Sequence, residues 1–265
     1  MKIKTLSLVV PAYKQEKTIV KDIQNLNAVL SALLYKYEII VVEDGYLDGT
    51  QKKLLNLKSE VKSLKLLGYE KNHGKGYAVK YGMLKATGDI IGFIDAGMDL
   101  DPQEISVALD LMEWNKADIV VGSKLHPESK VNYPLWRKVL SWGYRTITHL
   151  MFGFSVQDTQ VGLKFFRKKV AHEIFSRIII KSYAFDIEVL TVAYKLGYKN
   201  IIESPIKLNF NHSSSITSKS FWRVIFYMLW DTAAVFYRLR ILKYYDKDNK
   251  QKTINKKNNK KTKHD

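Results

Sequence analysis

The chain has 265 residues, 46% of them hydrophobic, enough for one large α/β domain or two small ones with a real core. It contains no cysteine, which excludes disulfides, thiolate nucleophiles and cysteine-ligated zinc. The formal net charge of +17 favours anionic partners such as phosphates, nucleic acid or acidic lipid, and part of it is local.

The N-terminus, Met1-Lys2-Ile3-Lys4-Thr5, runs straight into a strand without the apolar segment of a signal peptide, so a cytoplasmic chain is expected. Leu6-Ser7-Leu8-Val9-Val10-Pro11 reads as a first buried strand, and Ile19, Ile23, Leu26, Leu30 and Leu33 then recur with a helical period. Glu38-Ile39-Ile40-Val41-Val42 is a second strand. It leads into Glu43-Asp44-Gly45 and a cap-like Asp48-Gly49-Thr50 before another helix. Leu64 to Tyr69 is a third strand, followed by Asn72-His73-Gly74-Lys75-Gly76 and an amphipathic helix to about Lys85.

Ile90-Ile91-Gly92-Phe93-Ile94 is uncharged and is followed by Asp95, Asp99 and Asp101. A continuous apolar run of this kind is a strand buried on both faces, and open α/β sheets bind ligands where such strands end. Two readings stay open for the aspartates: a Mg²⁺ or Mn²⁺ and diphosphate site, or an acidic turn capping the helix that starts near Gln103. A helix to Trp114 and the strand Asp118 to Gly122 complete a β-α alternation that predicts a parallel sheet with right-handed crossovers. Four strand-end loops then share one edge and form one cleft.

Beyond Gly122, Lys124 to Asn132 reads as a polar loop, and Leu135 to Phe152 as a helix carrying Arg137, Ser141 and Arg145 on one face. Asp158 to Phe166 is a polar loop feeding a strand, Phe185-Asp186-Ile187-Glu188 opens a helix, and Ile201 to Pro205 is a short last strand. Phe221 to Leu242 is apolar and aromatic, but Arg223, Asp231, Arg238 and Arg240 interrupt it, against a membrane-spanning helix. Followed by a lysine-rich tail, it suits a peripheral anchor on an anionic membrane surface; the alternative is a helix packed on the sheet. The tail carries Lys250, Lys252, Lys256, Lys257, Lys260, Lys261 and Lys263 among polar residues and is expected to be disordered. The domain expectation is therefore 1–217 for the catalytic domain, 218–245 for the amphipathic helix and 246–265 for the tail.

Val10-Pro11-Ala12-Tyr13, Glu43-Asp44-Gly45 with Asp48-Gly49-Thr50, Asn72 with Gly74-Lys75-Gly76, and Asp95-Ala96 resemble family-2 glycosyltransferases of the GT-A fold. Gly122-Ser123-Lys124, Arg137 with Ser141, Asp158 to Lys164, Phe185 to Glu188 and Ser215-Ile216 look more narrowly like dolichol-phosphate mannose synthases and bacterial polyprenyl-phosphate sugar transferases. The resemblance implies a Rossmann-like α/β fold with a mostly parallel central sheet flanked by helices. It implies a UDP- or GDP-linked sugar donor lined by Pro11, Ala12 and Tyr13, with Glu43 and Asp44 at the base, Lys75 near the donor, and Asp95 and Ala96 at the ribose and diphosphate. Lys124, Arg137, Ser141 and Gln160 would hold a polyprenyl-phosphate acceptor, and Asp158 would face the reacting sugar. The family's metal motif is Asp-x-Asp, and here Gly97 stands where its second aspartate belongs. Asp99 is the expected substitute ligand beside Asp95, with Asp101 the more distant alternative; failing both, Lys14, Lys75 or Lys124 would neutralise the diphosphate. Lys14 and Gln15 also depart from the family's usual Asn-Glu.

The implied function is an inverting, metal-assisted transfer of a sugar to a lipid phosphate at the inner face of the cytoplasmic membrane. Competing readings are a transferase acting on a sugar or protein hydroxyl, with Asp158 as base, and a degenerate non-catalytic sugar-nucleotide binder. Nucleic acid is not expected as a partner, because charge alone points to it and no recognition module is present. His73 reads as loop polarity, His149 and His172 as structural or exposed, and Asp186 and Glu188 by default as helix-capping carboxylates, with the resemblance leaving open that this pair shapes the active site.

Overall fold

The computed structural model describes residues 5–97, 100–131, 135–182, 184–208 and 218–246, with residues 135–139 and 218–222 described as helix backbone only. Four strands, β1 (Thr5–Ala12), β2 (Lys36–Asp44), β3 (Leu64–Tyr69) and β4 (Ile90–Ile94), lie parallel in the order β3-β2-β1-β4. Between them run α1 (Ile19–Ser31), α2 (Thr50–Leu57) and α3 (Lys75–Lys85). The chain goes on through α4 (Glu104–Trp114), β5 (Ile119–Ser123), a short β6 (Lys130–Val131), α5 (Leu135–Phe152), β7 (Leu163–Arg167) and α6 (Lys168–Phe175). It closes with α7 (Phe185–Leu196), β8 (Ile201–Pro205), β9 (Lys207–Leu208) and α8 (Ser218–Arg240). Among the described residues the main sheet has seven strands in the order β3-β2-β1-β4-β7-β5-β8, and β6 pairs with β9 beside it.

The parallel β-α rhythm holds for six of those seven strands. β7 instead runs antiparallel, between β4 and β5. A strand that descends where its neighbours ascend begins at the edge where they end. The loop entering β7 is therefore delivered to the carboxyl edge of β4 and β5, beside the ligand-binding edge of an open α/β sheet.

Both faces of the sheet are covered, which is why the strands are apolar at consecutive positions rather than alternating. On one face Val9, Ile40, Val42, Ile91 and Phe93 pack against α3, α6 and α7. On the other, Leu8, Val10, Ile39 and Val41 pack against α1, α2 and α4. Phe93, Phe166 and Phe175 form a buried aromatic cluster under the first layer.

The C-terminal helix is docked on the domain. Val235 is fully buried in the core, Tyr144 of α5 shares a 2.7 Å hydrogen bond with Thr232, and the Ser182 hydroxyl bonds the Asp231 carboxylate. Its opposite face stays exposed, with Phe226, Tyr227, Leu229, Trp230 and Tyr237 open to solvent. The reading of this segment as a helix packed on the domain thus holds for one face. No helix among the described residues is long and apolar enough to cross a membrane. The lysine tail beyond Asp246 lies outside the described residues, as do Ser215 and Ile216.

Because Val235 is fully buried in the core, Val235→Asp should lower unfolding free energy by about 3 kcal/mol or more through burial of an unpaired carboxylate. Urea denaturation followed by circular dichroism measures this, and an unchanged midpoint would show that α8 does not pack there.

Candidate active site

The residues expected to meet the donor stand at the first four strand ends. The β1–α1 and β2–α2 loops are braced through Asp48, whose carboxylate accepts from Thr50 N at 3.1 Å, Thr50 Oγ1 at 2.6 Å and Glu16 N at 3.2 Å. Gln15 joins the brace: its N–H donates to Thr50 Oγ1 at 3.1 Å, and its carbonyl accepts from Thr18 and Ile19 at the start of α1. The Gln15 side chain adds to it, Oε1 accepting from the Thr18 hydroxyl at 2.8 Å. Beside it Lys14 takes a left-handed φ of 53°, and its ammonium lies 5.5 Å from the ring centroid of Tyr13, which is 45% exposed at the rim. Pro11 and Ala12 are the last two residues of β1.

Glu43 and Asp44 both end β2 buried, but they differ in what they can offer a ligand. The Asp44 carboxylate accepts from His73 N at 2.7 Å, Gly74 N at 2.9 Å and Asn72 Nδ2 at 2.8 Å, so it is committed to folding the 72–74 loop. Glu43 Oε1 is buried with no hydrogen-bond partner. Burial, then the Asp48 charge, push its carboxyl from 4.5 to about 7. Of the two base-contact candidates, Glu43 is the one with a free polar atom.

Asp95 stands where β4 ends, and its N–H continues the ladder to Gly162 O at 2.9 Å. One carboxylate oxygen meets Lys75 Nζ at 2.7 Å, while Oδ1 is buried without a partner. Ala96 follows it, half-buried. Gly162 is required here, since a Cβ on it would lie 2.0 Å from the Asp95 carboxylate. Gly97, at φ +108°, is held from below by Asp22 of α1, whose Oδ2 accepts the Gly97 N–H at 3.0 Å. Asp22 was not singled out in the sequence. Its one signal is a carboxylate on the inward stripe of Ile19, Ile23 and Leu26, where burial raises its pKa. Asp99 lies outside the described residues, and among the described residues no cluster of three His, Asp or Glu side chains could hold a metal.

The residues expected to hold the acceptor line a cleft of about 390 Å³ at the same edge. Lys124, Ser141, Asp158 and Gln160, all expected from the sequence, line it together with Arg145. Asp158 Oδ2 accepts the Lys124 N–H at 2.9 Å and lies 3.2 Å from Lys124 Nζ, while Oδ1 accepts from Gln160 N at 3.2 Å. Arg137 falls one turn before Ser141 on α5, with its side chain outside the described residues. The cleft also has apolar walls from Leu125, Val131, Trp142 and Tyr144, which the motif reading missed because such residues carry no pattern of their own. Arg145 was visible only as the third member of the α5 stripe.

Beneath both halves lies the fully buried Lys164 of β7. Its ammonium bonds the Asp186 carboxylate and the Val161 carbonyl (2.7 Å) and lies 5.4 Å from the Phe93 ring centroid. Burial drives both charged groups toward neutrality, the lysine downward and the aspartate upward, against their mutual attraction. Neither Asp186 nor Glu188 caps α7, correcting the default expectation: the first pairs with Lys164, and the second accepts backbone N–H groups of Ile179 and Ile180. The three histidines singled out in the sequence make packing or backbone contacts. His73 packs between Tyr69 and Tyr77, and ring nitrogens of His149 and His172 each contact a backbone carbonyl.

Two outcomes follow from these burials. Asp186→Ala leaves the Lys164 ammonium buried with one neutral acceptor and should cost about 3 kcal/mol or more of stability, much of it recovered by pairing the change with Lys164→Met. Glu43 ionises near 4.5 when unfolded and near 7 when folded, so wild-type stability should fall relative to Glu43→Gln as pH rises across that window. Urea titrations of both proteins at a series of pH values check the slope, and parallel curves would contradict the burial of Glu43.

The sequence model of glycosyl transferase family 2 matches residues 7–175. The chain is 34% identical over 213 residues to a dolichyl-phosphate beta-glucosyltransferase of Trichomonas vaginalis, covering 77% of this chain and 65% of that protein. It is 32% identical over 205 residues to the dolichyl-phosphate beta-glucosyltransferase of Drosophila melanogaster, covering 72% and 63%. The matches thus span a little under two-thirds of these relatives' own lengths. Among solved structures, glucosyl-3-phosphoglycerate synthase of Mycobacterium tuberculosis with Mn²⁺, UDP and phosphoglyceric acid superposes with a TM-score of 0.67 at 17% identity, covering 88% of this chain and 78% of that one. That likeness concerns the fold, which is GT-A, as the sequence motifs implied. With the family model spanning most of the sheet and both halves of the cleft, the chain belongs to glycosyl transferase family 2.

Proposed function

We propose that this protein transfers a sugar, with glucose the first candidate, from a nucleotide sugar to a polyprenyl phosphate at a membrane surface, inverting the anomeric configuration. The observation that carries the reading is the composition of the acceptor cleft. Lys124 and Arg145 supply positive charge and Ser141 and Gln160 hydrogen bonds, while Leu125, Val131, Trp142 and Tyr144 supply an apolar wall. Such a cleft suits an anionic head joined to a hydrocarbon chain. Glucose and the lipid phosphate are taken from the names of the dolichyl-phosphate beta-glucosyltransferase relatives.

In the displacement, a lipid phosphate oxygen bonds to the anomeric carbon as its bond to the nucleoside diphosphate breaks. The nucleophile is already an anion, so the reaction needs charge placement rather than a strong base. Asp158 fits this division of labour. Its oxygens are taken up by Lys124 and the Gln160 N–H, which orient the cation rather than leave a base free for a hydroxyl acceptor. Lys75, held on Asp95, is positioned to meet the donor diphosphate, and Glu43 to meet the base.

The donor edge also fits a divalent cation of the Mg²⁺ or Mn²⁺ type. Asp95 Oδ1 is a buried carboxylate oxygen with no partner, and such ions need only one or two carboxylates when phosphates and water complete the shell. When bound, the ion would add positive charge at the leaving diphosphate. Asp95 is the described ligand.

The exposed flank supports a membrane partner. Trp142 and Leu150 on α5, and Phe226 and Trp230 on α8, are large apolar side chains open to solvent on a strongly basic protein. This combination binds anionic bilayers by apolar insertion plus charge.

With UDP-glucose, GDP-mannose and other donors tested against a short polyprenyl phosphate, Lys124→Ala and Arg145→Ala should each raise KM for the lipid about tenfold, leaving nucleotide affinity unchanged. Asp95→Ala should abolish turnover. Equal loss with a neutral hydroxyl acceptor would refute the phosphate reading. In flotation, the protein should rise with vesicles containing phosphatidylglycerol and be released by salt or by Trp230→Ser; recovery with the pellet under all conditions would refute the membrane surface.

A further inference from the structure

Glu188 belongs to neither half of the cleft, yet it is a fully buried carboxylate with all its contacts on two separate pieces of chain. Oε2 accepts from Ile179 N at 2.8 Å and Ile180 N at 2.7 Å. Oε1 accepts the Tyr245 hydroxyl at 2.5 Å and lies 3.8 Å from Arg238 Nη1. Tyr245 lies beyond the end of α8, where the chain turns back with Tyr244 N bonded to Arg238 O at 2.9 Å, and its side chain is 1% exposed. Lys195 and Asp246 close the same junction at 2.7 Å.

The stretch that Glu188 holds carries the start of α3 on its other side. Gly76 N donates to Lys181 O at 2.8 Å, and Lys80 Nζ to Ile178 O at 2.7 Å. The fit admits only glycine at residue 74, since φ there is +96° and a Cβ would lie 2.5 Å from Lys181 O. A Cβ at Gly76 would be 2.8 Å from Ile180 O. Lys75 sits between these two glycines, its ammonium 5.6 Å from the Phe185 ring centroid and 2.7 Å from Asp95. Unbroken packing therefore joins the C-terminal turn, Glu188, residues 179–181, the α3 terminus and the donor edge.

We propose that Tyr245 and Arg238 act through Glu188 as positioning residues for the donor: their docking fixes residues 179–181, which set the α3 terminus and Lys75. Removing the Tyr245 hydroxyl leaves a buried carboxylate oxygen without its closest donor, which protonation of Glu188, a closer approach of Arg238, entry of water or a shift of α7 would relieve. The last two responses move the backbone that the α3 terminus leans on. Burial raises the pKa of Glu188, opposed by the hydrogen bonds from Tyr245 and the two amides and by the Arg238 charge. The inference rests on the reading of Lys75 as a donor contact.

The test is a double-mutant cycle on nucleotide affinity. UDP and GDP, each with Mn²⁺, are titrated calorimetrically into wild type, Tyr245→Phe, Lys75→Ala and the double variant, well below their melting temperatures. Tyr245→Phe should weaken binding about tenfold in the wild-type background and by less than about twofold in the Lys75→Ala background. Hydrogen exchange at the Ile179, Ile180 and Gly76 amides should quicken together. Lowered melting temperature with unchanged nucleotide affinity, or the same loss in both backgrounds, would overturn the proposal and leave Tyr245 a stabilising contact only. Should Tyr245→Phe not fold, Arg238→Gln carries the test on the same criteria. Wild-type protein that binds neither nucleotide would overturn the donor reading and this inference with it.

Discussion

Asp95 can stand at the end of β4 with one oxygen on Lys75 because the residue facing it across the antiparallel pair, Gly162, has no side chain. That close approach is the constraint on which the rest of the cleft depends. It fixes the loop from Asp158 to Gly162 against the donor edge, and the same loop carries Asp158 and Gln160 into the acceptor cleft. An antiparallel strand in a parallel sheet is therefore what brings the two halves together. A parallel β7 would have sent this loop to the opposite edge.

Charges along this edge come in neighbouring opposite pairs: Lys75 with Asp95, Lys164 with Asp186, and Lys124 with Asp158. The outer two are partly open to the cleft, and the central pair is wholly buried beneath them. In the proposed transfer, preorganised cations of this kind need not reorient as charge moves from acceptor to leaving group. The central pair is costly to bury, and its removal by halves is costlier still. It is better understood as fixing β7 against α7 than as taking part in chemistry.

Much of this was legible in the sequence. Continuous apolar runs ending in Pro11, Glu43 and Asp95 gave the parallel strands and the edge their carboxyl ends share, and the α5 stripe gave Ser141 and Arg145 as neighbours. Strand direction was not legible for β7, because the polar loop before it can enter a sheet from either edge. Nor could the sequence separate Glu43 from Asp44, adjacent carboxylates of which one is consumed by the 72–74 loop and the other keeps a free oxygen. Asp22, Glu188 and Tyr245 carry no motif. Their importance comes from burial and from partners 75, 8 and 57 residues away in the chain. The two faces of α8 were both present in its composition, but which residues face inward depends on α5 and α7.

The central claim is that one cleft joins a nucleotide-sugar edge to a site for a lipid phosphate. Phosphorus NMR of the extracted product tests it most directly. Incubation with UDP-glucose and polyprenyl phosphate should convert the lipid's phosphomonoester signal to that of a phosphodiester bearing the sugar. A phosphomonoester left intact while the sugar appears on a hydroxyl group would contradict the account.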